Sequence, residues 1–512
     1  EYEHKKFIKT ILQKTIDRIV KVLYTKRNDR KTFLQEGLIL FYRPDGKAVC
    51  ADVIPFYEDG EFKLFYLKDY RDIEHYGEGC DWNLLTTRDF VTYTDHGTVI
   101  KRGTKDEQDL YVYTGCCNRY GDTYFIYYTG HNPHMAEKGL PVQKILRARS
   151  KDLLHWEKDT RFSMQAPAGF EMHDFRDPFI YYDEKGSRYC MLIAGRLKNA
   201  DPENFKGVTL VAYSDDFLHW EVDENPFYAP SSYYAHECPD LFRMGDWWYL
   251  IFSEFTDRYI TTYRMSQNPD GPWLTPPVNT FDGHAFYAAK SVSDGKRRFL
   301  LGWNPIKEGE KDFGSWQWGG TIIAHEIVQN ADGTLAVRCP EEVLRSYGPQ
   351  TCPQPGSLVG AVQMHGERCM VGDRCGRGHV MFGRLPDRCK IEVEFTLQEM
   401  TGDFGLVLHA DLVKNTFYTL RMEPAYCRMA MDRWPRRELA CHTMTDTERP
   451  VSFLPGERNR LTLLIDGSVL EAYFNDRAAM GARMFDLRGD LGVYAVGTAV
   501  SFEKIAISEE GQ

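Results

Sequence analysis

A strand, a tight turn containing glycine and a second, aromatic-rich strand recur five times between residues 52 and 301. The units begin at Asp52, Asp109, Asp177, Glu237 and Phe286, and their turn glycines are Gly60, Gly121, Gly186, Gly245 and Gly295. Spacings of roughly 50 to 65 residues are close to the period of propeller blades, in which each four-stranded sheet buries its faces against its neighbours. We therefore predict an all-β chain whose first domain is a five-bladed β-propeller.

Three of the first strands carry a carboxyl group at nearly the same place. Asp52, Asp177 and Glu237 each lie about eight or nine residues before the glycine of their turn. The innermost strands of a propeller all face its central channel, so equivalent positions on different blades converge there. We therefore expect these acids to meet in one funnel. For any one of them alone, a turn cap or a surface ion pair is the usual alternative.

The sequence changes character on both sides of the repeats. Residues 1–31 lack Gly and Pro and place apolar side chains at helical spacing opposite a basic face, which predicts an N-terminal amphipathic α-helix. This helix is a candidate surface for docking on its own domain or for forming a homo-oligomer. The predicted propeller occupies residues 32–345, and a Pro- and Gly-containing linker occupies 346–356. Alternating strands then predict a β-sandwich over 357–512.

Composition limits the classes of function. The net charge of -11 argues against a nucleic-acid-binding protein, which normally has a basic surface, and it favours a neutral small-molecule substrate. No apolar run approaches the roughly 20 residues that cross a bilayer. Thirteen cysteines without Cys-x-x-Cys spacing indicate neither a disulfide framework nor a zinc site, and we expect no metal or cofactor. Unpaired thiols favour a cytoplasmic protein, while secretion stays open because the chain begins at Glu1.

Three carboxyl groups in one funnel are suited to glycoside hydrolysis, in which one carboxylate attacks or stabilises charge and another acid protonates the leaving oxygen. Asp52 is the candidate nucleophile. Glu237, with two further acids expected beside it, is the candidate general acid. Asp177 follows Arg176, whose cation should keep it ionised, so Asp177 is the candidate stabiliser of the cationic transition state.

Several short motifs surround these acids and continue into the predicted sandwich. They are Arg176-Asp177-Pro178, Glu237-Cys238-Pro239-Asp240, Phe281-Asp282-Gly283, Trp318-Gly319-Gly320 and the segment from Asp466 to Asn475. Together they resemble glycoside hydrolase family 32, which contains the invertases, levanases and inulinases. The likeness extends from about Leu38 to Ile507.

The resemblance implies a retaining double displacement that releases terminal β-fructofuranosyl residues from sucrose, fructo-oligosaccharides or fructans. It implies Asp52 as nucleophile, Asp177 as transition-state stabiliser, and Glu237 as acid and base. An exo-acting enzyme is expected, because a funnel closed at one end admits chain termini.

The chain departs from the family where the terminal sugar is held. The family's Asn before the nucleophile is Ala51, its Gln on the next strand is Leu67, and its Phe-Ser-Gly segment is Tyr113-Thr114-Gly115. Each buried hydroxyl that loses an amide partner costs about 1–3 kcal/mol. We therefore expect a differently presented fructoside or another furanoside.

Six residues are predicted to bind the substrate: Arg176, Trp82, Tyr113, Thr114, Lys290 and Trp318. Trp82 and Trp318 would stack on the C–H face of a sugar, although Trp also packs between blades. Lys290 would meet an anionic group or remain solvated. Asp174, close to Arg176, is expected to form a turn pair with His173 rather than reach the funnel.

Two other functions stay open at this point. One is an inverting five-bladed glycosidase that acts on arabinofuranosides or xylosides. The other is a carbohydrate-binding protein that has lost catalysis, which the altered sugar contacts suggest.

Overall fold

The computed structural model describes residues 40–44, 46–256, 259–283, 286–436 and 447–511. Strands make up most of these ranges. The helix predicted over residues 1–31 lies outside them, so that helix and its role in a homo-oligomer stay predictions. Among the described residues, no helix has the length and apolar character needed to cross a membrane.

The first nineteen strands form five antiparallel units in which consecutive strands pair. Unit 1 contains β1 (Ala48–Glu58), β2 (Glu61–Tyr70), β3 (Asp81–Thr87) and β4 (Tyr93–Ile100); unit 2 contains β5 (Tyr111–Tyr120), β6 (Thr123–His131), β7 (Gln143–Ser150) and β8 (Trp156–Lys158). Unit 3 contains β9 (Phe170–Asp183), β10 (Arg188–Leu197), β11 (Gly207–Ser214) and β12 (Glu221–Val222). Unit 4 contains β13 (Ala235–Met244), β14 (Trp247–Phe255) and β15 (Ile260–Ser266); unit 5 contains β16 (Tyr287–Ser293), β17 (Arg298–Lys307), β18 (Trp316–Gln329) and β19 (Leu335–Arg338).

The first strands of the units are arranged in a closed cycle. β1 contacts β5, β5 contacts β9, β9 contacts β13, β13 contacts β16, and β16 returns to β1. Units 1 and 5 are also joined into one sheet, because Cys50 of β1 pairs with Gly320 of β18. The two ends of the repeat therefore meet, and one end of each first strand can face a shared centre.

Each first strand is interrupted by a β-bulge. The pairing register shifts around Asp52, Thr114, Asp177, Cys238 and Ala288. All of these except Thr114 have positive φ angles, from 30° at Asp52 to 59° at Asp177. The left-handed region is unfavourable for an L-residue, and a bulge turns side chains away from the regular alternation of a strand. The bulges therefore redirect side chains where the first strands converge.

Fourteen further strands form two seven-stranded antiparallel sheets. One sheet has the order β20 (Ser357–Gly360), β23 (Arg377–Arg384), β32 (Asp490–Val496), β25 (Asp403–Asp411), β26 (Thr416–Glu423), β27 (Arg428–Trp434) and β28 (Thr447–Pro450). The other has the order β21 (Val362–His365), β22 (Arg368–Val371), β33 (Val500–Ser508), β24 (Arg388–Leu397), β29 (Asn459–Asp466), β30 (Val469–Phe474) and β31 (Ala478–Arg483). Apolar residues of both sheets, including Val393, Leu406, Leu463 and Val493, form one buried core.

Helices in the described residues are short. They are α1 (Ile73–Tyr76), α2 (Glu341–Arg345) and the 3₁₀ helices Pro133–Lys138, Glu203–Phe205, Glu308–Glu310 and Pro424–Tyr426. α2 lies between the last strand of unit 5 and the first sheet strand that follows. None of these helices contributes a residue to the cavity described below, which is lined mainly from strands.

Two of the sequence motifs meet where the five units pack against the two sheets. Asp282 accepts a hydrogen bond from the backbone N–H of Gly481 at 2.6 Å and another from Nε2 of His325 at 3.0 Å. The Nδ1 atom of His325 lies 3.0 Å from the hydroxyl of Tyr473. All four residues are fully or almost fully buried. These motifs therefore connect the two parts of the chain rather than line the cavity.

The strain at the bulges can be measured at Ala288. Ala288 and Ala289 are both buried, but only Ala288 has a positive φ, of 52°. Each substitution to glycine removes one buried methyl group. Ala288→Gly also removes the conformational strain of an L-residue with a positive φ angle. We expect Ala289→Gly to lower the free energy of unfolding in urea by about 1 kcal/mol more than Ala288→Gly does. Equal losses would mean that the bulge stores no strain at this position.

Candidate active site

A cavity of about 370 Å³ lies where the bulged first strands converge. Residues from all five units line it: Asp52, Tyr113, Gln143, Asp174, Arg176, Asp177, Tyr234, Glu237, Cys238, Phe255, Tyr287 and Trp318. The structure thus brings Asp52, Asp177 and Glu237 together, although they are far apart in the sequence. Each of the three has different hydrogen-bond partners.

Asp52 is held through both carboxyl oxygens. Thr114 donates its hydroxyl to Oδ2, and Nε1 of Trp303 donates to Oδ1 at 3.2 Å. Burial raises the pKa of Asp52 to about 7; the nearby Asp177 and Glu237 add to the rise, and the two donors oppose it. Asp52 is therefore oriented by its neighbours and changes its charge near neutral pH.

Asp177 is buried, and both its carboxyl group and its backbone N–H are hydrogen-bonded. Its Oδ2 accepts the N–H of Cys238 at 2.9 Å, and its own N–H donates to the hydroxyl of Thr129 at 2.8 Å. Burial raises the pKa of Asp177, and Glu237 adds to this. Arg176, whose Nε lies 4.0 Å from Oδ2, lowers the pKa as the sequence predicted, but burial outweighs it.

Glu237 also has a partner for each carboxyl oxygen. Oε1 accepts from Nη2 and Nε of Arg176, at 2.9 and 3.2 Å, and Oε2 accepts the hydroxyl of Tyr287 at 2.5 Å. Burial and the carboxylate of Glu237 raise the pKa of Tyr287, so its hydroxyl remains a donor. Tyr287 is not among the site residues predicted from the sequence, although it lies four residues after the Phe281-Asp282-Gly283 motif.

A fourth carboxylate, Asp174, lies on the cavity wall beside the predicted trio. Its Oδ1 accepts from Nη1 of Arg176 at 2.9 Å, and its Oδ2 accepts from Nη1 of Arg196 at 3.2 Å. Gln143 accepts from Arg176 as well, at 3.3 Å. The expectation that Asp174 forms only a turn pair with His173 was therefore wrong. Two arginines fix its carboxylate at the cavity instead.

Tyr113 and Trp318, both predicted to bind substrate, form an aromatic part of the wall. Their ring centroids lie 6.2 Å apart, and the ring of His131 stacks on Tyr113 at 4.8 Å. Burial lowers the pKa of His131 to about 4, so this ring is neutral at physiological pH. The wall is therefore an uncharged surface on which the C–H face of a sugar can lie.

Three residues that were predicted to bind substrate, Trp82, Thr114 and Lys290, do not line the cavity. Trp82 is fully buried and donates Nε1 to the carbonyl of Tyr113 at 3.2 Å, so it packs behind the wall. Thr114 is 1% exposed and uses its hydroxyl on Asp52. Lys290 is 2% exposed, because its ammonium group binds a buried backbone carbonyl.

At two positions the family has Asn and Gln but this chain has Ala51 and Leu67, and these two residues pair with each other across the sheet. Ala51 lies on β1 and Leu67 on β2, and both are fully buried in an apolar cluster with Trp82 and Trp303. Replacing two polar groups together leaves no orphaned partner within the protein. A sugar hydroxyl directed at this part of the strand pair finds no amide.

One group of side chains among the described residues has the spacing of a metal site. Ligand atoms of Asp282, His325 and Glu471 lie within 4.8 Å of one another. Buried Arg449 and Arg483 interact with these two carboxyl groups; burial lowers their pKa values to about 10 and about 9, so both are cations at neutral pH. A divalent ion would therefore add uncompensated buried charge. We assign this cluster to the contact between the two parts of the chain.

Comparison with known families follows the same division of the chain. Residues 54–336 match the glycosyl hydrolases family 32 N-terminal domain, and residues 383–509 match the C-terminal domain of the same family. The chain belongs to glycosyl hydrolase family 32. The resemblance noted in the sequence is thus confirmed, and the chain is a member of a glycosidase family.

Relatives in this family are distant. The sucrose-6-phosphate hydrolase of Escherichia coli is 23% identical over 435 residues, which cover 80% of this chain and 82% of that protein. The levanbiose-producing levanase of Bacillus subtilis is 23% identical over 275 residues, 49% of each chain.

Solved structures share the fold over nearly the whole chain. Fructan 1-exohydrolase IIa from Cichorium intybus has a TM-score of 0.69 and 17% identity, covering 93% of this chain and 97% of its own. The Bombyx mori GH32 beta-fructofuranosidase has a TM-score of 0.68 and 17% identity, covering 98% and 99%. The all-β architecture of a propeller followed by a sandwich is therefore confirmed.

The hydrogen bond from Thr114 to Asp52 predicts a pH-dependent effect on stability. Because folding raises the pKa of Asp52 to about 7, the protonated form favours the folded state at low pH, and this contribution is lost as the pH rises through about 7. Thr114→Val removes a donor to the carboxylate, so its folded pKa should rise further. We expect the loss of unfolding free energy in Thr114→Val to grow by about 1–2 kcal/mol between pH 6 and pH 9.

Thr114→Ser is the matched control, since it keeps the hydroxyl. Chemical denaturation at several pH values would measure both variants against the unmodified protein. If the difference in unfolding free energy between Thr114→Val and the unmodified protein were the same at pH 6 and pH 9, it would contradict the assigned hydrogen bond.

Proposed function

We propose that this protein is a retaining, exo-acting β-fructofuranosidase that removes terminal β-fructofuranosyl residues from sucrose, fructo-oligosaccharides or fructans. The observation that carries the proposal is one cavity in which three carboxyl groups have three different sets of partners. Similarity to a levanase and to the structure of a fructan exohydrolase supports a fructoside as substrate.

In the first half of the reaction, the carboxylate of Asp52 would attack the anomeric carbon of the fructosyl residue. Glu237 would protonate the glycosidic oxygen as its bond to that carbon breaks, so the leaving sugar departs neutral. Thr114 and Trp303 orient the nucleophile, because each binds one of its oxygens. Tyr287 and Arg176 orient Glu237 in the same way.

In the second half, Glu237 would take a proton from water, and the water oxygen would attack the anomeric carbon while Asp52 leaves. Positive charge develops on the sugar ring in both transition states. Asp177 is suited to stabilise it, because the N–H of Cys238 fixes its carboxylate beside the other two acids.

Size and shape support action on chain ends. The cavity of about 370 Å³ is near the lower limit of ligand sites, which span about 300–1,000 Å³. A cavity of this volume accommodates one sugar ring and part of the next. Asp174 and Gln143, on the wall next to Glu237, are suited to bind hydroxyls of the leaving group.

We also propose that the five units are the five blades of the propeller. The cyclic contacts of β1, β5, β9, β13 and β16 support this arrangement. The proposed domains are residues 32–345 for the propeller, 346–356 for the linker and 357–512 for the sandwich. A cytoplasmic location remains a proposal based on the cysteine content alone.

Stereochemistry tests the retaining mechanism. The protein would be incubated with sucrose, inulin, levan, aryl β-fructofuranosides and aryl arabinofuranosides in the presence of methanol, which competes with water. A retaining enzyme yields methyl β-fructofuranoside, which does not mutarotate and is identified by NMR. The α-anomer would support an inverting enzyme, and turnover of arabinofuranosides alone would change the substrate class. Binding of fructosides without any turnover would support the carbohydrate-binding alternative.

The separate roles of the acids predict different effects of substitution. Asp52→Asn should lower kcat at least about 1,000-fold on every fructoside, because the amide does not attack. Glu237→Gln should lower sucrose hydrolysis about 100- to 10,000-fold, but should affect a nitrophenyl fructoside far less, because that leaving group needs no proton. Thermal unfolding would verify that both variants fold. Equal losses on both substrates in Glu237→Gln would remove it as the proton donor.

A further inference from the structure

Lys290 is a buried cation that the mechanism above does not use. It lies on β16, two residues after the bulge at Ala288, and it is 2% exposed. Its Nζ donates to the carbonyl of Pro239 at 3.1 Å and lies 5.4 Å from the ring centroid of Phe179. Taking an ammonium group out of water is costly unless nearby charge or hydrogen bonds compensate it. One carbonyl oxygen is weak compensation.

The contacts of Lys290 lie on the two strands that carry Asp177 and Glu237. Pro239 directly follows Cys238, whose N–H binds Oδ2 of Asp177, and Phe179 is two residues after Asp177. The ammonium group therefore contacts both the turn that holds the Asp177 carboxylate and the strand that carries it. Lys290 makes these contacts without lining the cavity itself.

The charges around this group are those of the active site. Asp177 is influenced by Glu237, which raises its pKa, and by Arg176 and Lys290, which lower it. Lys290 also lowers the pKa of the buried thiols of Cys238 and Cys116. Arg176 divides its hydrogen bonds between Glu237 and Asp174, so its contribution to Asp177 is through space, at 4.0 Å.

We propose that Lys290 is a positioning residue that fixes the Cys238–Pro239 turn and keeps Asp177 ionised for the charge that develops on the sugar. The proposal rests on the function proposed above. Lys290 acts as a second cation and compensates an acid whose other cation, Arg176, is hydrogen-bonded elsewhere. The anionic partner that the sequence suggested for Lys290 is thus within the protein and is not the substrate.

A matched control exists in Lys307 on β17. Lys307 is 4% exposed, its Nζ donates to the carbonyl of Asp312 at 3.0 Å, and it lies 4.3 Å from the ring of Trp316. It therefore shares burial, a carbonyl acceptor and an aromatic neighbour with Lys290, but of the two lysines it is Lys290 that is among the main groups acting on the pKa of Asp177. Lys290→Met and Lys307→Met remove the same buried ammonium group in the two settings.

The first test is the pH profile of kcat/KM on a fructoside. The acid limb reports the ionisation of Asp52 and Asp177 together, because the two interact. We expect Lys290→Met to move this limb upward by about one pH unit, which gives about a tenfold lower kcat/KM on the acid side and a smaller loss above pH 8. Lys290→Arg should restore the limb, and Lys307→Met should leave it in place. An unmoved limb in folded Lys290→Met would overturn the proposal.

The second test does not need turnover. The unfolding free energy of each variant would be measured in denaturant from pH 4 to pH 9. Because the Asp177 carboxylate loses a compensating cation, Lys290→Met should lose stability relative to the unmodified protein as the pH rises, whereas the stability difference for Lys290→Arg, which keeps the cation, should stay constant with pH. If the difference in unfolding free energy between Lys290→Met and the unmodified protein did not change with pH, the proposal would also be overturned. If no furanoside is hydrolysed but this difference widens, the proposed function fails and the assignment of Lys290 stands.

Discussion

The arrangement of the site depends on an irregularity repeated in the strands around the centre. A regular strand alternates its side chains between two faces, and both faces of the first strands are needed for packing against neighbouring units. The bulges at Asp52, Asp177 and Cys238 break this alternation with residues in left-handed conformations. They allow two acids to leave the packed faces and point into the cavity, and they bring Glu237 beside them. The strain is maintained because the closed cycle of strands holds the backbone on both sides.

Electrostatic differences among the three acids arise from their partners rather than from their own chemistry. Three carboxyl groups in one buried cavity disfavour each other's ionisation. Two neutral donors stabilise the negative charge of Asp52. The charge of Asp177 is stabilised by a backbone N–H and by two cations that lie further away. The charge of Glu237 is stabilised by a guanidinium group and a phenol. The three carboxyl groups would ionise almost equally in water, but their different partners make them differ here. Separate roles as nucleophile, stabiliser and acid would require such a difference.

The sandwich contributes to this arrangement from a distance. Asp282 belongs to the segment that leads into β16, the strand that carries Tyr287 and Lys290, and it is anchored by Gly481 on the sandwich. Buried Arg483 likewise binds the carbonyls of Asn304 and Pro305 on β17. Both contacts brace unit 5, which supplies partners to Asp52 and to Glu237. The described residues of the sandwich do not line the cavity, but through these contacts the sandwich can affect the order of the site.

The sequence by itself determined the repeat, the five candidate units, the change to a second β-domain and the three acids, because turn glycines, strand alternation and fixed spacing are local patterns. Tyr287 and Asp174 lie close in the sequence to the motifs that surround the acids, but nothing local distinguishes a tyrosine in the core from one bound to Glu237. Trp82, Thr114 and Lys290 are buried and do not line the cavity, which the sequence did not reveal for a related reason. Whether a side chain faces the cavity or lies behind it depends on where a bulge falls and which strand packs against it. Only the tertiary structure decides this, because the bulges and the closing contact of β16 with β1 arise from packing between residues that are far apart in the chain.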